Sequence, residues 1–229
     1  MKVSIIMCSY NRVNLLRNTL KSIFRQNQDV EVIVVDDGST DGTDCLIKEF
    51  PIIYKYNPSN GYGNQSKPMN IALKLASSKI IIMQSSEVIH KGDVIKKLID
   101  AVENDPMVWC FARVANIING KIDGYYVSSN RPRPFYFLCS LWRYHLDNIG
   151  GLDEDYNEPG YDDNDLADRL IKGVGLKLVF RDDINGEHQQ HDVSYKNGKL
   201  IRARMRNLYE EKTRKWENGE ISYIRNLTK

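Results

Sequence analysis

The sequence is poor in three things: cysteine, long apolar runs and net charge. Its four cysteines, Cys8, Cys45, Cys110 and Cys139, lie far apart with no CxxC spacing. That excludes a zinc ribbon and gives no disulfide framework, so they read as reduced core thiols. No apolar run approaches the ~18 residues that span a bilayer. The opening "MKVSIIMCSY" is too short in its apolar part for a signal peptide and reads as a strand. A cytoplasmic protein is expected, free to sit on a membrane surface. Lys+Arg at 32 against Asp+Glu at 30 leave a formal charge of +2, which gives no support to nucleic-acid binding through overall charge. There are no internal repeats and no low-complexity segments. There is also no GxGxxG after the first apolar run and no GxxxxGK[ST] anywhere. The phosphate-binding turns of a dinucleotide fold and of a P-loop are therefore absent. A phosphate bound by this chain needs another source of positive charge, and a metal ion is the natural one.

What is present is a core of ordinary size: 229 residues, 41% hydrophobic, enough for one large domain or a domain with an appendage. Val3–Met7 is a short buried-strand pattern, and Val13, Leu16, Leu20, Ile23 and Phe24 follow at helical spacing. Val32–Val35 is a continuous β-branched run, as in a strand covered on both faces. Asp36–Thr43 is turn chemistry, with Ser39, Thr40 or Asp41 placed to cap a short helix through Phe50. Ile52–Tyr56 predicts a third strand, "NPSNGYGNQSKP" a loop, Met69–Ala76 a helix and "KIIIMQ" a fourth strand. Strand and helix alternate, which predicts a mostly parallel α/β sheet whose ligands bind beyond the strands' carboxyl ends. The second half predicts a helix over 94–102, a strand over 108–115, an Asn-Gly hairpin turn at 119–120 and a strand over 135–139. A short helix to Ile149 follows, then an acidic loop, a helix around 166–171, a last strand over 176–180 and an amphipathic helix over 199–217.

Three polar clusters fall at the predicted strand ends: "CSYN", "DDGS" and "QSSE". Of Asp36 and Asp37, one can cap the turn while the other accepts from a ligand N–H such as the imide of uracil. Capping by both explains the pair equally well. Tyr10 can offer an aromatic face to a base or simply pack. Glu87, with two serines, is a poor divalent-cation site alone. Candidate completing ligands are His188 and His191 in "GEHQQHD", two of only four histidines. Their i, i+3 spacing converges on a turn or helix, not in an extended strand. In "NEPGYDDNDLADRL", Asp162, Asp163 and Asp165 crowd a helix start, where the dipole accounts for one or two acids. Glu154, Asp155 and Glu158 upstream are a surplus; crowded like charges raise one another's pKa, which suits a general base, while the helix start opposes that shift, so the sequence leaves its net sign open.

"VSIIMCSYNR", "VIVVDDGSTDGT", "PMNIAL", "IIIMQSSEVI", "IGGLDEDY" and "GYDDNDLADRL" together resemble the family 2 inverting glycosyltransferases of the GT-A fold, in order over about residues 3–192. The acidic loop and histidine pair also resemble the β-1,4-galactosyltransferases. The resemblance implies an α/β GT-A catalytic domain over 1–195, with a nucleotide-sugar half (1–90), an acceptor half (91–195) and a helical extension over 196–229. It implies that Cys8, Ser9 and Tyr10 pack on the base, that Asp37 contacts uracil with Asp36 beside it, and that Lys67 lies near the diphosphate. Ser85, Ser86 and Glu87 stand in place of the family's Asp-x-Asp motif, so Glu87, His188 and His191 would hold Mn²⁺ or Mg²⁺. Asp163 takes the place of the catalytic base, with Asp162 as an acceptor contact. The implied partners are a nucleotide-sugar donor, UDP-linked, and a carbohydrate acceptor.

The stretch "RPRPFYFLCSLWRYH" is a candidate acceptor wall, although core packing accounts for most of its residues. The C-terminal segment, with ten Lys+Arg against four Glu over 196–229, could meet an anionic membrane, an acidic acceptor or a second copy, or simply pack by one face. Rival functions are an inactive GT-A domain that binds nucleotide or carbohydrate, and a metal-dependent nucleotidyltransferase.

Overall fold

The structure is a computed structural model that describes residues 3–59, 65–192 and 197–224. Residues 60–64 of the predicted loop, and 196 and 225–229 of the C-terminal extension, lie outside the described residues. The first half is the parallel unit expected. Strands β1 (Val3–Ser9), β2 (Val30–Asp36), β3 (Ile53–Tyr56) and β4 (Ile80–Gln84) lie in the order β3-β2-β1-β4, every pair parallel. The crossovers are α1 (Val13–Phe24), a 3-10 turn (Thr43–Lys48) and α2 (Ser66–Leu75). The apolar runs are continuous because both faces are covered. Ile5 and Met7 share one core with Leu16, Leu20 and Ile23 of α1, while Ile6 and Ile33 share the other with Met69, Ala72 and Leu73 of α2.

Beyond β4 the sheet turns mixed, where a mostly parallel one was expected. Antiparallel β8 (Leu138–Trp142) pairs with β4, then β6 (Val108–Ile118) with β8, β9 (Lys177–His188) parallel to β6, and β5 (Val88–Lys91) antiparallel at the far edge. Strand β7 (Lys121–Val127) forms the predicted hairpin on β6, with Asn119 and Gly120 both at positive φ. The helices of this half are α3 (Val94–Glu103), α4 (Arg143–Ile149) and α5 (Asp162–Asp168), which runs into a π-helical turn (Arg169–Val174), and finally α6 (Gly198–Glu217).

Two strands differ from expectation. Strand β8 begins at Leu138, three residues later than expected; Phe135 and Phe137 before it pack on each other and, for Phe137, on His188. Strand β9 runs to His188, through a polar stretch that has no strand pattern, because it is held between β5 and β6. Gly186 makes that possible: a Cβ there would stand 2.7 Å from Val88 Cγ1 and 3.0 Å from Leu138 Cδ2. Of the cysteines, Cys110 and Cys139 are core, Cys8 is half-buried and Cys45 is exposed; all four are free. No helix among the described residues is long and apolar enough to cross a membrane.

Candidate active site

The carboxyl ends of β1, β2 and β4 open on one cavity of about 570 Å³, closed on its other side by β6, β9 and the residues leading into α5. Cys8, Ser9 and Tyr10 line it from β1, Asp37 from the end of β2, and Ser85, Ser86 and Glu87 from the end of β4. Burial, and then the nearby carboxylates, push the Cys8 thiol well up, away from its thiolate form.

The two acids of "DDGS" divide their work. Asp36 is buried, accepts from the Ser39 amide at 2.8 Å and from Tyr54 Oη at 2.6 Å, and does not line the cavity. Asp37 does line it, accepting from Asn57 Nδ2 through Oδ1 at 2.6 Å. Gly38 between them and the turn has φ +93°, and a Cβ there would meet the Ser59 carbonyl oxygen at 2.2 Å. Only glycine lets Asp37 take its position. Lys67 is exposed on the first turn of α2 rather than in a loop, and is not among the cavity's lining residues; Gln65 and Pro68 are.

Glu87 meets the histidines through sheet register. Val88 of β5 faces His188 of β9, and the Gln189 amide donates to the Glu87 carbonyl at 3.0 Å. Glu87 and His188 are thus neighbours although 101 positions separate them in the chain. Past the strand end the backbone turns, which lets His191 swing back, its ring centroid 5.2 Å from that of His188. Glu87, His188 and His191 each offer an atom within 4.8 Å of the others. One carboxylate and two imidazoles suit a divalent cation of the Mn²⁺ type. Two further observations fit a cation. Burial holds the His188 imidazole toward its neutral, ligating form, and its buried Nδ1 has no hydrogen-bond partner. Ser85 donates through Oγ to Glu87 Oε2.

Across the cavity, Asp162 and Asp163 open α5. Tyr136 donates its hydroxyl to Asp162 and its amide to Asp163 Oδ1 at 3.3 Å. The helix start favours ionised acids, yet burial outweighs it. The Asp162 carboxyl is raised by burial, and that of Asp163 well above the usual range by burial and by the charge of Asp162. The surplus acids have other partners. Asp153 and Asp155 hold Lys212 of α6, Glu158 pairs with Arg204, Glu154 accepts from Asn70, and Asp165 is buried against Arg169. They clasp helices to the loop and supply no general base.

A model of the family described as glycosyl transferase family 2 matches residues 4–151. This chain belongs to glycosyltransferase family 2. An uncharacterized glycosyltransferase of Bacillus subtilis, YfnE, is 27% identical over 89% of this chain and 68% of its own length. A dolichol-phosphate mannosyltransferase of Pyrococcus furiosus is 25% identical over 98% of this chain and 66% of its own. Two solved structures share the fold at 20% identity and TM-score 0.64. Residues 1–349 of Staphylococcus aureus TarS match 82% of this chain and 60% of theirs. A Pyrobaculum calidifontis mannosyltransferase, solved with GDP-Man and Mn²⁺, matches 93% and 64%. The chain therefore spans about two thirds of the length of these relatives. A family 2 glycosyltransferase is a transferase of sugars.

Among the lining residues of this glycosyltransferase that went unremarked in the sequence, two stand beside Glu87. Arg12 stands beside Glu87, and Gln189 ties Glu87 to α1. The "R" of "CSYNR" is at a strand end and was open to notice; the role of Gln189 appears only once β5 is found beside β9.

Proposed function

We propose that this glycosyltransferase is metal-dependent and inverting, and moves a sugar from a nucleotide-diphosphate donor, UDP-linked, to a hydroxyl of a glycan or glycoconjugate. The observation that carries the reading is the juxtaposition in one cavity of a proton-accepting acid, Asp163, and a separate cation-ligating set, Glu87, His188 and His191. Charge supports it. Asp37, Glu87, Asp162 and Asp163 line the cavity, and Arg12 is the one Lys or Arg among its described lining residues. A diphosphate adds negative charge beside Asp37 and Glu87, which a bound cation would offset. Glu87, His188 and His191 would hold a divalent cation, which would supply Lewis-acid stabilisation of diphosphate charge.

The chain's own residues do the rest. Asp37 keeps Oδ2 for the base while Oδ1 holds Asn57. One acceptor oxygen matches the single imide N–H of uracil better than the adjacent N–H groups of guanine. Tyr10 and Cys8 flank that position on the wall. The acceptor hydroxyl gives its proton to Asp163 as its oxygen attacks the anomeric carbon and the bond from that carbon to the nucleoside diphosphate breaks. Attack and departure on opposite faces invert the anomer. Tyr136 holds both acids in place, and Asp162 raises the proton affinity of Asp163. Tyr126 and Phe137 are the apolar wall nearest the niche, packed on His188.

Asp163→Asn should cut transfer by about 10²–10⁴-fold and leave nucleotide binding by calorimetry unchanged. Normal turnover by that variant would remove Asp163 as base. Thermal-shift titration with UDP-, GDP- and dTDP-sugars, with and without Mn²⁺, tests donor and metal, and the product anomer by NMR tests inversion. Equal activity with and without chelator would remove the metal.

A further inference from the structure

We propose that Arg12 competes with the divalent cation for Glu87, so that the chain carries a tethered counter-cation in its own metal niche and sets metal affinity through it. The inference rests on the metal-dependent reading above. Arg12 is placed there by its backbone. Asn11 before it is left-handed, at φ 48°, its amide donating to Ser39 Oγ and its Oδ1 accepting from the Thr40 amide, both at 2.8 Å. Arg12 itself starts α1, its carbonyl accepting from the Leu16 amide at 2.8 Å. The turn after β2 and the start of α1 thus aim the side chain into the niche.

Once there the guanidinium touches two of the three candidate ligand residues. Nε lies 3.4 Å from Glu87 Oε1, with both side chains under a fifth exposed. Nη2 donates to the Asp192 carbonyl at 2.9 Å and lies 3.2 Å from His191 Nδ1. Nη1 donates to the Asn11 carbonyl at 3.1 Å. The other oxygen of Glu87 accepts from Ser85. Both oxygens of the one carboxylate in the set are therefore engaged before any cation arrives, one by a side chain that cannot give up its charge. A cation bonding to Glu87 must displace Arg12 or stand beside a like charge only a few ångströms away. In this half-buried site, water screens that repulsion less than at the surface.

The same contacts allow the opposite role, and its sign is measurable. The Asp192 carbonyl lies 2.8 Å from His191 Nδ1 as well, and one carbonyl can accept from both Nδ1–H and Nη2–H. Arg12 could then orient the imidazole for ligation through Nε2. Support predicts weaker metal binding when Arg12 is removed, and competition predicts tighter.

The experiment is an EPR titration of Mn²⁺ into the full chain, reading free Mn²⁺, for the parent, Arg12→Gln and Arg12→Lys at fixed ionic strength. Arg12→Gln should bind Mn²⁺ about tenfold or more tightly, and Arg12→Lys should stay near the parent. If Gln disturbs the start of α1, Arg12→Met keeps the aliphatic stem and carries the same expectation. Equal or weaker binding by the neutral variants, with the parent still binding, would overturn competition and leave the metal niche standing. No binding by either parent or variant would overturn the niche, and the inference with it.

Discussion

The two ends of the cavity are both lined by carboxylates, and they treat them in opposite ways. At the niche end, Glu87 has a cation beside it and two imidazoles within reach. At the acid end, burial and mutual repulsion push Asp162 and Asp163 toward their protonated forms. On the proposed reading, one end serves a cation and the other takes a proton. Their supports differ as well. The niche is held by strand register between β5 and β9, the acid end by a short helix anchored on a buried ion pair and clasped by α6.

The difference breaks most sharply at Arg169. It is 1% exposed, pairs with Asp165 at 2.7 Å, and donates to the carbonyls of Ile149 and Gly151. Arg169→Met leaves Asp165 buried without its partner, which should cost about 3–5 kcal/mol. Urea unfolding should show that loss, with a melting temperature lower by on the order of 10 °C. Under folding conditions transfer should fall while Mn²⁺ affinity holds. A parallel fall in Mn²⁺ affinity would mean the two ends are not independently supported.

This contrast also explains what could be read from the sequence. The niche half of the site begins at strand ends in chain order, so Asp37 and Glu87 stood out as the polar terminators of apolar runs. The histidines were found by their scarcity and spacing, but their nearness to Glu87 depends on β5, a four-residue strand that no pattern announced, and on a β9 whose last residues are polar. Long-range register decides both, and a local window does not contain it. The acidic loop misled in a different way. Six acids within twelve positions look like one charged site, yet Lys212, Arg204, Arg169 and Asn70 bind four of them for packing. Those cations and the amide lie 4 to 84 positions away, and only the fold shows which acids are left for chemistry. The C-terminal helix was expected to be amphipathic, and its buried stripe is Ile201, Met205, Lys212 and Trp216. The lysine in that stripe is explained by Asp153, not by a membrane or a second copy.

A second, smaller effect should separate the ends by pH. In the folded chain Asp163 is raised well above its unfolded value, by burial first and the Asp162 charge second. A group raised on folding contributes stability below its unfolded pKa, and that stability is lost as pH rises through the folded value. The parent should therefore lose stability relative to Asp163→Asn as pH rises from about 4 toward 8, because Asn carries no charge to bury. A gap opening to about 2–4 °C in melting temperature, with the inactive variant the more stable, is the expected result. A gap constant with pH would mean that Asp163 is ionised in the fold at no cost.

The smallest effect on stability should be the most specific to the niche. Gln189 donates its amide nitrogen to the carbonyls of Leu15 at 3.0 Å and Glu87 at 3.2 Å, and to Thr19 Oγ1 at 3.3 Å. Its backbone amide also holds the Glu87 carbonyl, a bond that survives substitution. Gln189→Ala should cost only about 1 kcal/mol, since both freed carbonyls stay near solvent or keep another partner. Glu87 and the two histidines depend on that stitch for mutual placement, so Mn²⁺ affinity should drop about 10–100-fold, the range for residues that orient metal ligands. Asp163→Asn, measured beside it, should leave Mn²⁺ affinity where it is. If the alanine variant binds Mn²⁺ as the parent does, strand register alone places the ligands, and the niche is more rigid than its hydrogen bonds imply.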